Sequence, residues 1–148
     1  MSARYASYPP YLKTDSLWAW CLLPNIVYTY VVPNSHVSSA DTEAMVSRLS
    51  YVRLQEIFPA DAFVFLHDWA HVTSYDAAVR SLAVGWGMSY PKAAIEKIRV
   101  LASPTSSTLF RMSAATGTLT LSLLGYDIAV VDSFDDDLGH KIPFLPAD

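Results

Sequence analysis

Residues 63 to 76, Phe-Val-Phe-Leu-His-Asp-Trp-Ala-His-Val-Thr-Ser-Tyr-Asp, gather most of the side chains that could do chemistry. His67 and His71 flank Asp68 and Trp69, and two histidines with a carboxylate are the residue types of a zinc site. Alternation puts His67 and Trp69 on one face of an extended segment, and no further histidine follows nearby, so hydrogen-bonded structure outweighs a metal centre. An imidazole at a strand's carboxyl end can also act as an acid or base, because ligands of α/β sheets bind beyond those ends. His67, Asp68, Ser74, Ser103 and Asp132 would then form a polar cluster along one sheet edge, suited to a small ligand or a minor enzyme. Ser74 offers a different chemistry: its hydroxyl is placed to cap a helix, with Asp76 adding negative charge in the electropositive first turn. The same placement displays a hydroxyl for regulation.

Other templates fail. There is no Gly-x-Ser-x-Gly elbow and no Gly-rich loop ending in Lys, and the chain has only 5 glycines, which argues against hydrolase and nucleotide-binding sites. Asp135 to Asp137 lack the alternating ligand spacing of a calcium loop. No cofactor and no metal are implied, and the chain reads as non-catalytic.

The elements that must position these residues follow from periodicity. Leu17 to Leu23 and Ile26 to Val32 are β-branched and aromatic runs split by Pro24-Asn25, an opening hairpin with Tyr28, Tyr30 and Val32 on one face and Val27, Thr29 and Val31 on the other. From Ser39 or Asp41 a helix is predicted, with Met45, Leu49, Val52 and Ile57 as its stripe and Pro59 closing it. Phe63 to Leu66, apolar on both faces, predicts a central strand. Tyr75, Val79, Leu82, Trp86 and Tyr90 step at helical spacing until Pro91, and Arg80 points away from that stripe. Lys97 to Ala102 predicts a strand.

Residues 104 to 124 carry two patterns. Leu109, Met112, Thr116, Leu119 and Leu123 follow a helical stripe ending at Gly125, whereas Thr118 to Leu123 alternates like a strand. The helix is favoured, because Tyr126 to Val131 needs a crossover to pair parallel with the preceding strand. The fold predicted is therefore α/β, with about five strands in a mixed sheet, order ββαβαβαβ, and helices mainly on one face. Residues 1 to 16 read as a flexible arm, 17 to 133 as the domain, and 134 to 148 as an acidic loop and tail.

Composition bounds the partners. The chain of 148 residues suits one domain, and 52% hydrophobic residues supply its core. With 16% charged residues and a net charge of −4, no nucleic-acid role is expected. Apolar runs broken by Pro24, Pro33 and Pro59 fall short of the roughly 20 residues a membrane helix needs. No export signal opens the chain, and the lone Cys21 excludes an intrachain disulfide, so the cytoplasm is expected. Trp18, Trp20 and Tyr28 on the hairpin could leave an apolar face or edge for a second copy, a homodimer.

From about Leu17 to Asp132 the chain resembles a STAS domain, the fold of anti-sigma-factor antagonists. The strand Phe63 to Asp68 ends in an acid, and Trp69-Ala70-His71-Val72-Thr73-Ser74-Tyr75 stands where that family has a strand-to-helix loop with an Asp-Ser-Ser-Gly-like motif. Leu109-Phe110-Arg111-Met112-Ser113-Ala114 is similar to the family's Leu-Phe-x-x-x-Gly segment, and the phrase His-Asp-Trp with Ser-Tyr-Asp and Arg80 is similar to uncharacterised bacterial STAS-like proteins. Thr73-Ser74-Tyr75-Asp76 replaces the family motif, so the resemblance puts the phosphorylation switch at Ser74, Thr73 or Tyr75. It implies a protein partner of kinase or sigma-regulatory type, met through His67, Asp68, Trp69, His71, Asp76 and Arg80. A phosphate there would be held by free N–H groups while adding charge to a surface that a partner must desolvate.

Overall fold

The computed structural model describes residues 9–102, 108–134 and 143–144, without the side chains of Leu109, Pro143 and Phe144. Its main strands are β2 (Leu17–Leu22), β3 (Ile26–Val31), β5 (Phe63–Asp68), β7 (Ile95–Leu101) and β8 (Ile128–Val131). The helices are α1 (Ser39–Arg48), α2 (Tyr51–Ile57), α3 (Val79–Met88) and α4 (Thr108–Leu123). β2 and β3 form the antiparallel hairpin, and β3, β5, β7 and β8 then run parallel in that spatial order. The mixed α/β sheet expected from the sequence is therefore present. Its order never reverses after β3, so crossovers of a single hand bring every helix to the same face.

Two short strands extend the sheet where an arm and a tail were expected. β1 (Leu12–Lys13) and β9 (Pro143–Phe144) both pair antiparallel with β2, at Ala19 and Trp18 and at Cys21 and Leu22 respectively. They share one edge of β2, whose outward N–H and C=O groups would otherwise go unpaired. A second, parallel pair joins β4 (His36–Val37) to β6 (Ser74–Tyr75) outside the main sheet.

Register sorts the core into two layers. On the helix side, Leu17, Ala19, Cys21, Val27, Val31, Phe63, Phe65 and Ile98 pack under Met45, Leu49, Leu54, Trp86 and Leu121. On the other side, Trp20, Leu22, Ile26, Tyr28, Tyr30, Val64 and Leu66 cluster with Phe134. Trp20 and Tyr28 are buried and Trp18 half-buried within the single chain.

Helix ends differ from expectation for identifiable reasons. One predicted helix is two: α1 is capped by Ser38, whose hydroxyl accepts from Asp41 N–H, and α2 by Ser50, which accepts from Arg53 N–H. The break falls at Leu49, whose carbonyl accepts from the Trp86 indole N–H at 2.9 Å and from the Tyr90 hydroxyl. Donors from α3 and from Tyr90 just after it thus take the carbonyl that would have continued the ladder, and Val52, predicted in the stripe, is exposed. α4 has the predicted ending, with Gly125 at φ 91° where a glycine costs least. Its face is not the predicted one: Met112, Leu119 and Leu123 are 64%, 60% and 78% exposed, and Phe110 and Leu121 are buried instead. The expected helix start near Pro104 or Ser106, Ser103, and the Asp135 to Asp137 turn lie outside the described residues. No described helix is long and apolar enough to cross a membrane.

Candidate functional site

Ser74 does not cap α3. Helix α3 starts at Val79 with Ala78 at its N-cap position and no side-chain cap bond, because Ser74 and Tyr75 are held in strand β6 opposite His36 and Val37. Asp76 does serve a helix N-terminus, but that of α1: its Oδ2 accepts from Ser39 N–H at 2.7 Å. Its Oδ1 accepts from His36 Nε2 at 2.7 Å, and His36 Nδ1 lies 2.9 Å from Ser74 Oγ. With Nε2 donating to Asp76, the neutral imidazole accepts the Ser74 proton at Nδ1. The bond from His36 first, and then that from Ser39, hold the Asp76 carboxyl below its ordinary value. His36 and Asp76 side chains are 52% and 43% exposed, so this chain of bonds is a solvated clasp tying β4 and β6 to α1.

The predicted edge cluster does not assemble. His67 and Asp68 are consecutive strand residues and point to opposite faces: Asp68 accepts from the Tyr28 hydroxyl at 2.6 Å in the aromatic layer. Tyr30 beside it has a raised pKa, first from desolvation and then from the Asp68 charge. Asp132 and His71 are exposed, and Ser74 belongs to the clasp. Among the described residues no group of three His, Cys, Asp or Glu could hold a metal ion.

His67, by contrast, enters a cavity of about 110 Å³ between the sheet and helices α3 and α4. Phe65, Trp86, Ile98, Val100, Phe110 and Leu121 form its apolar walls, and Val37 and Tyr75 of the clasp strands close one side. Trp69 also lines it, so of the predicted surface only His67, Trp69, Tyr75 and Arg80 meet here. Arg80 is exposed and adds its stem to the wall. Helices α3 and α4 approach closely beside the cavity: a Cβ on Gly117 would stand 3.4 Å from Val84 Cγ2.

The polar groups on this wall are donors. Trp69 Nε1, which can only donate, gives its proton to Thr29 Oγ1 at 3.1 Å, and Thr29 Oγ1 lies 2.7 Å from His67 Nδ1. Thr29 is fully buried with no other described acceptor, so its proton goes to Nδ1 and His67 carries its own on Nε2. No described residue accepts that Nε2 proton. Burial lowers the imidazole pKa to about 4, so the ring is neutral at pH 7. It retains some accessible surface, which it presents to this half-open apolar cavity.

Two hydroxyls of α4 complete the set. Ser113 Oγ accepts from Tyr75 at 2.9 Å, which leaves its own proton without a described acceptor. Thr118 Oγ1 is buried with no hydrogen-bond partner. Its neighbours Thr116 and Thr120 satisfy theirs on the carbonyls of Met112 and Thr116, each at 2.9 Å, as helix-interior threonines commonly do. Sequence reasoning missed Thr118, although Phe110, Ala114, Thr118 and Leu121 recur at helical spacing, which is the signal that a threonine stands on a buried stripe.

Fold and cavity together define an α/β protein with a mixed sheet, helices on one face, and an apolar chamber between the sheet and helices α3 and α4. No family model, no curated protein and no solved structure matches the chain.

Proposed function

We propose that this protein is a small-ligand-binding module, with the ligand held between the sheet and helices α3 and α4. The observation that carries the reading is an apolar cavity of about 110 Å³ whose wall includes a buried hydroxyl, that of Thr118, with no partner. Buried polar groups are nearly always hydrogen-bonded, and apolar walls left open between a sheet and its helices gain stability when a guest covers them. The runner-up function expected from the sequence thus gains its support from His67 and two α4 hydroxyls rather than from Asp68 or Asp132. A saturating panel of benzene-sized neutral molecules, followed by ¹³C methyl NMR, tests it. Shifts at Val84, Ile98, Val100 and Ile128, with Ile26 and Val64 unmoved, are expected; unchanged spectra throughout would overturn the reading.

A second reading is the regulatory interaction module that the STAS resemblance implies, switched at Ser74, Thr73 or Tyr75 by a partner of kinase or sigma-regulatory type. The exposed Ser74 hydroxyl in the clasp favours it. A phosphate there would lie beside the Asp76 carboxylate and disrupt the His36 bonds that hold β4 against β6. Ser74→Asp should release a partner captured by the wild-type protein while leaving the fold intact, and unchanged capture would remove the switch. The buried, unpaired thiol of Cys21 supports a cytoplasmic setting.

A further inference from the structure

The cavity's polar groups restrict what it can hold, and the restriction rests on the ligand-binding reading above. His67 Nε2–H, Ser113 O–H and Thr118 O–H are all able to donate, and none has a described acceptor. With Nδ1 committed to Thr29, His67 can present nothing else. Thr118 lines the cavity although its Oγ1 is buried where it stands, and a χ1 rotation would turn this donor toward the space. The guest must therefore bring an acceptor.

Charge narrows the class further. A carboxylate would need a cation within the chamber, because an unpaired ionised group is strongly disfavoured away from water. His67 is neutral in this environment, and Arg80 is exposed, so its charge remains with the solvent. Size gives the last bound. A cavity of 150 Å³ lined by apolar side chains accommodates the six carbons of benzene, so about 110 Å³ takes up most of one six-membered ring, and a guest of about six or seven non-hydrogen atoms would stand partly in its open mouth.

We propose that the cavity is a site for a compact, uncharged, mainly apolar molecule bearing one carbonyl or ether oxygen, with that oxygen accepting from His67 Nε2–H and an α4 hydroxyl. The aromatic walls of Phe65, Trp86 and Phe110 supply contact area, and the donors fix which end of the guest faces the sheet.

Three ring compounds test this on the full chain: cyclohexanone, methylcyclohexane and cyclohexanecarboxylate, each titrated by NMR and each affinity divided by the compound's partition from water into cyclohexane. Cyclohexanone is expected to exceed methylcyclohexane by at least about tenfold on this corrected scale, and to shift the His67 Nε2 ¹⁵N resonance. Thr118→Val, which preserves shape, should reduce that ratio severalfold with little change for methylcyclohexane. Equal corrected affinities would show the donors unused and overturn the acceptor class while leaving the cavity a binding site. Tightest binding by cyclohexanecarboxylate would overturn the neutral class and move recognition to Arg80. Failure of all three to bind saturably would overturn the ligand-binding reading itself.

Discussion

His67 and Asp68 are neighbours in β5, yet they face two different kinds of interior. Asp68 enters a layer filled by Trp20, Tyr28 and Phe134, whose rings contact edge-on, and its carboxylate accepts a hydrogen bond from the Tyr28 hydroxyl at 2.6 Å. His67 enters a layer that is apolar but incompletely filled, where its Nε2 proton and the Thr118 hydroxyl meet no described partner. The same strand thus separates a face on which polar groups are spent on structure from one on which they are left available. Hydrophobicity does not distinguish the two faces; satisfaction of hydrogen bonds does.

The comparison can be broken most forcefully at Trp86, which lines the cavity and donates to Leu49 O. Trp86→Ala is expected to cost about 3 to 5 kcal/mol in urea unfolding and to admit larger guests, since it enlarges an existing space and leaves the carbonyl at the α1 end with the Tyr90 hydroxyl alone of its two side-chain donors. A loss below about 1 kcal/mol would mean that the helix layer has already collapsed around the cavity in solution.

Titration separates the faces next. The folded pKa of His67, about 4, lies below its ordinary value of 6.5, so the unfolded chain binds more protons between those limits. Stability from this group is complete above pH 6.5, declines as the pH falls, and is fully lost below about 4, a total of up to roughly 3 kcal/mol. Unfolding free energies measured across that window should show a slope that His67→Leu reduces; an identical slope in the variant would place the titration elsewhere.

Removing one hydroxyl from each layer should give opposite signs. Tyr28→Phe deprives Asp68 of its donor and is expected to destabilise by about 1 to 2 kcal/mol. Thr118→Val removes a hydroxyl that satisfies nothing and is expected to stabilise the unliganded protein by up to about 1 kcal/mol. Thermal unfolding of the two variants side by side checks this, and a destabilised Thr118→Val would show that its hydroxyl is bonded after all.

Much of this frame was legible in the sequence. Pro24-Asn25 between two β-branched runs marks the hairpin, the unbroken apolar run Phe63 to Leu66 marks a strand covered on both faces, and Gly125 marks the end of α4. What escaped depends on partners remote in the chain. Ser74 reads as a cap until His36 and Val37 offer it a strand, and Leu49 reads as mid-helix until Trp86 and Tyr90 claim its carbonyl. The α4 face was misjudged because its apolar residues lie on both sides, and local period cannot say which side the sheet will take. The cavity, being a space between helices, has no residue of its own to announce it.

The order of strands also has a temporal meaning. From β2 through β3, β5, β7 and β8, position in the sheet follows position in the chain, so each strand leaving the ribosome finds its hydrogen-bonding neighbour already made. Pairing each strand with the one made before it keeps unpaired edges brief during synthesis. Pro143–Phe144 is the exception, returning to β2 at the far edge. The first long strand of the sheet therefore waits until all the other described strands have been made before that part of its edge is covered.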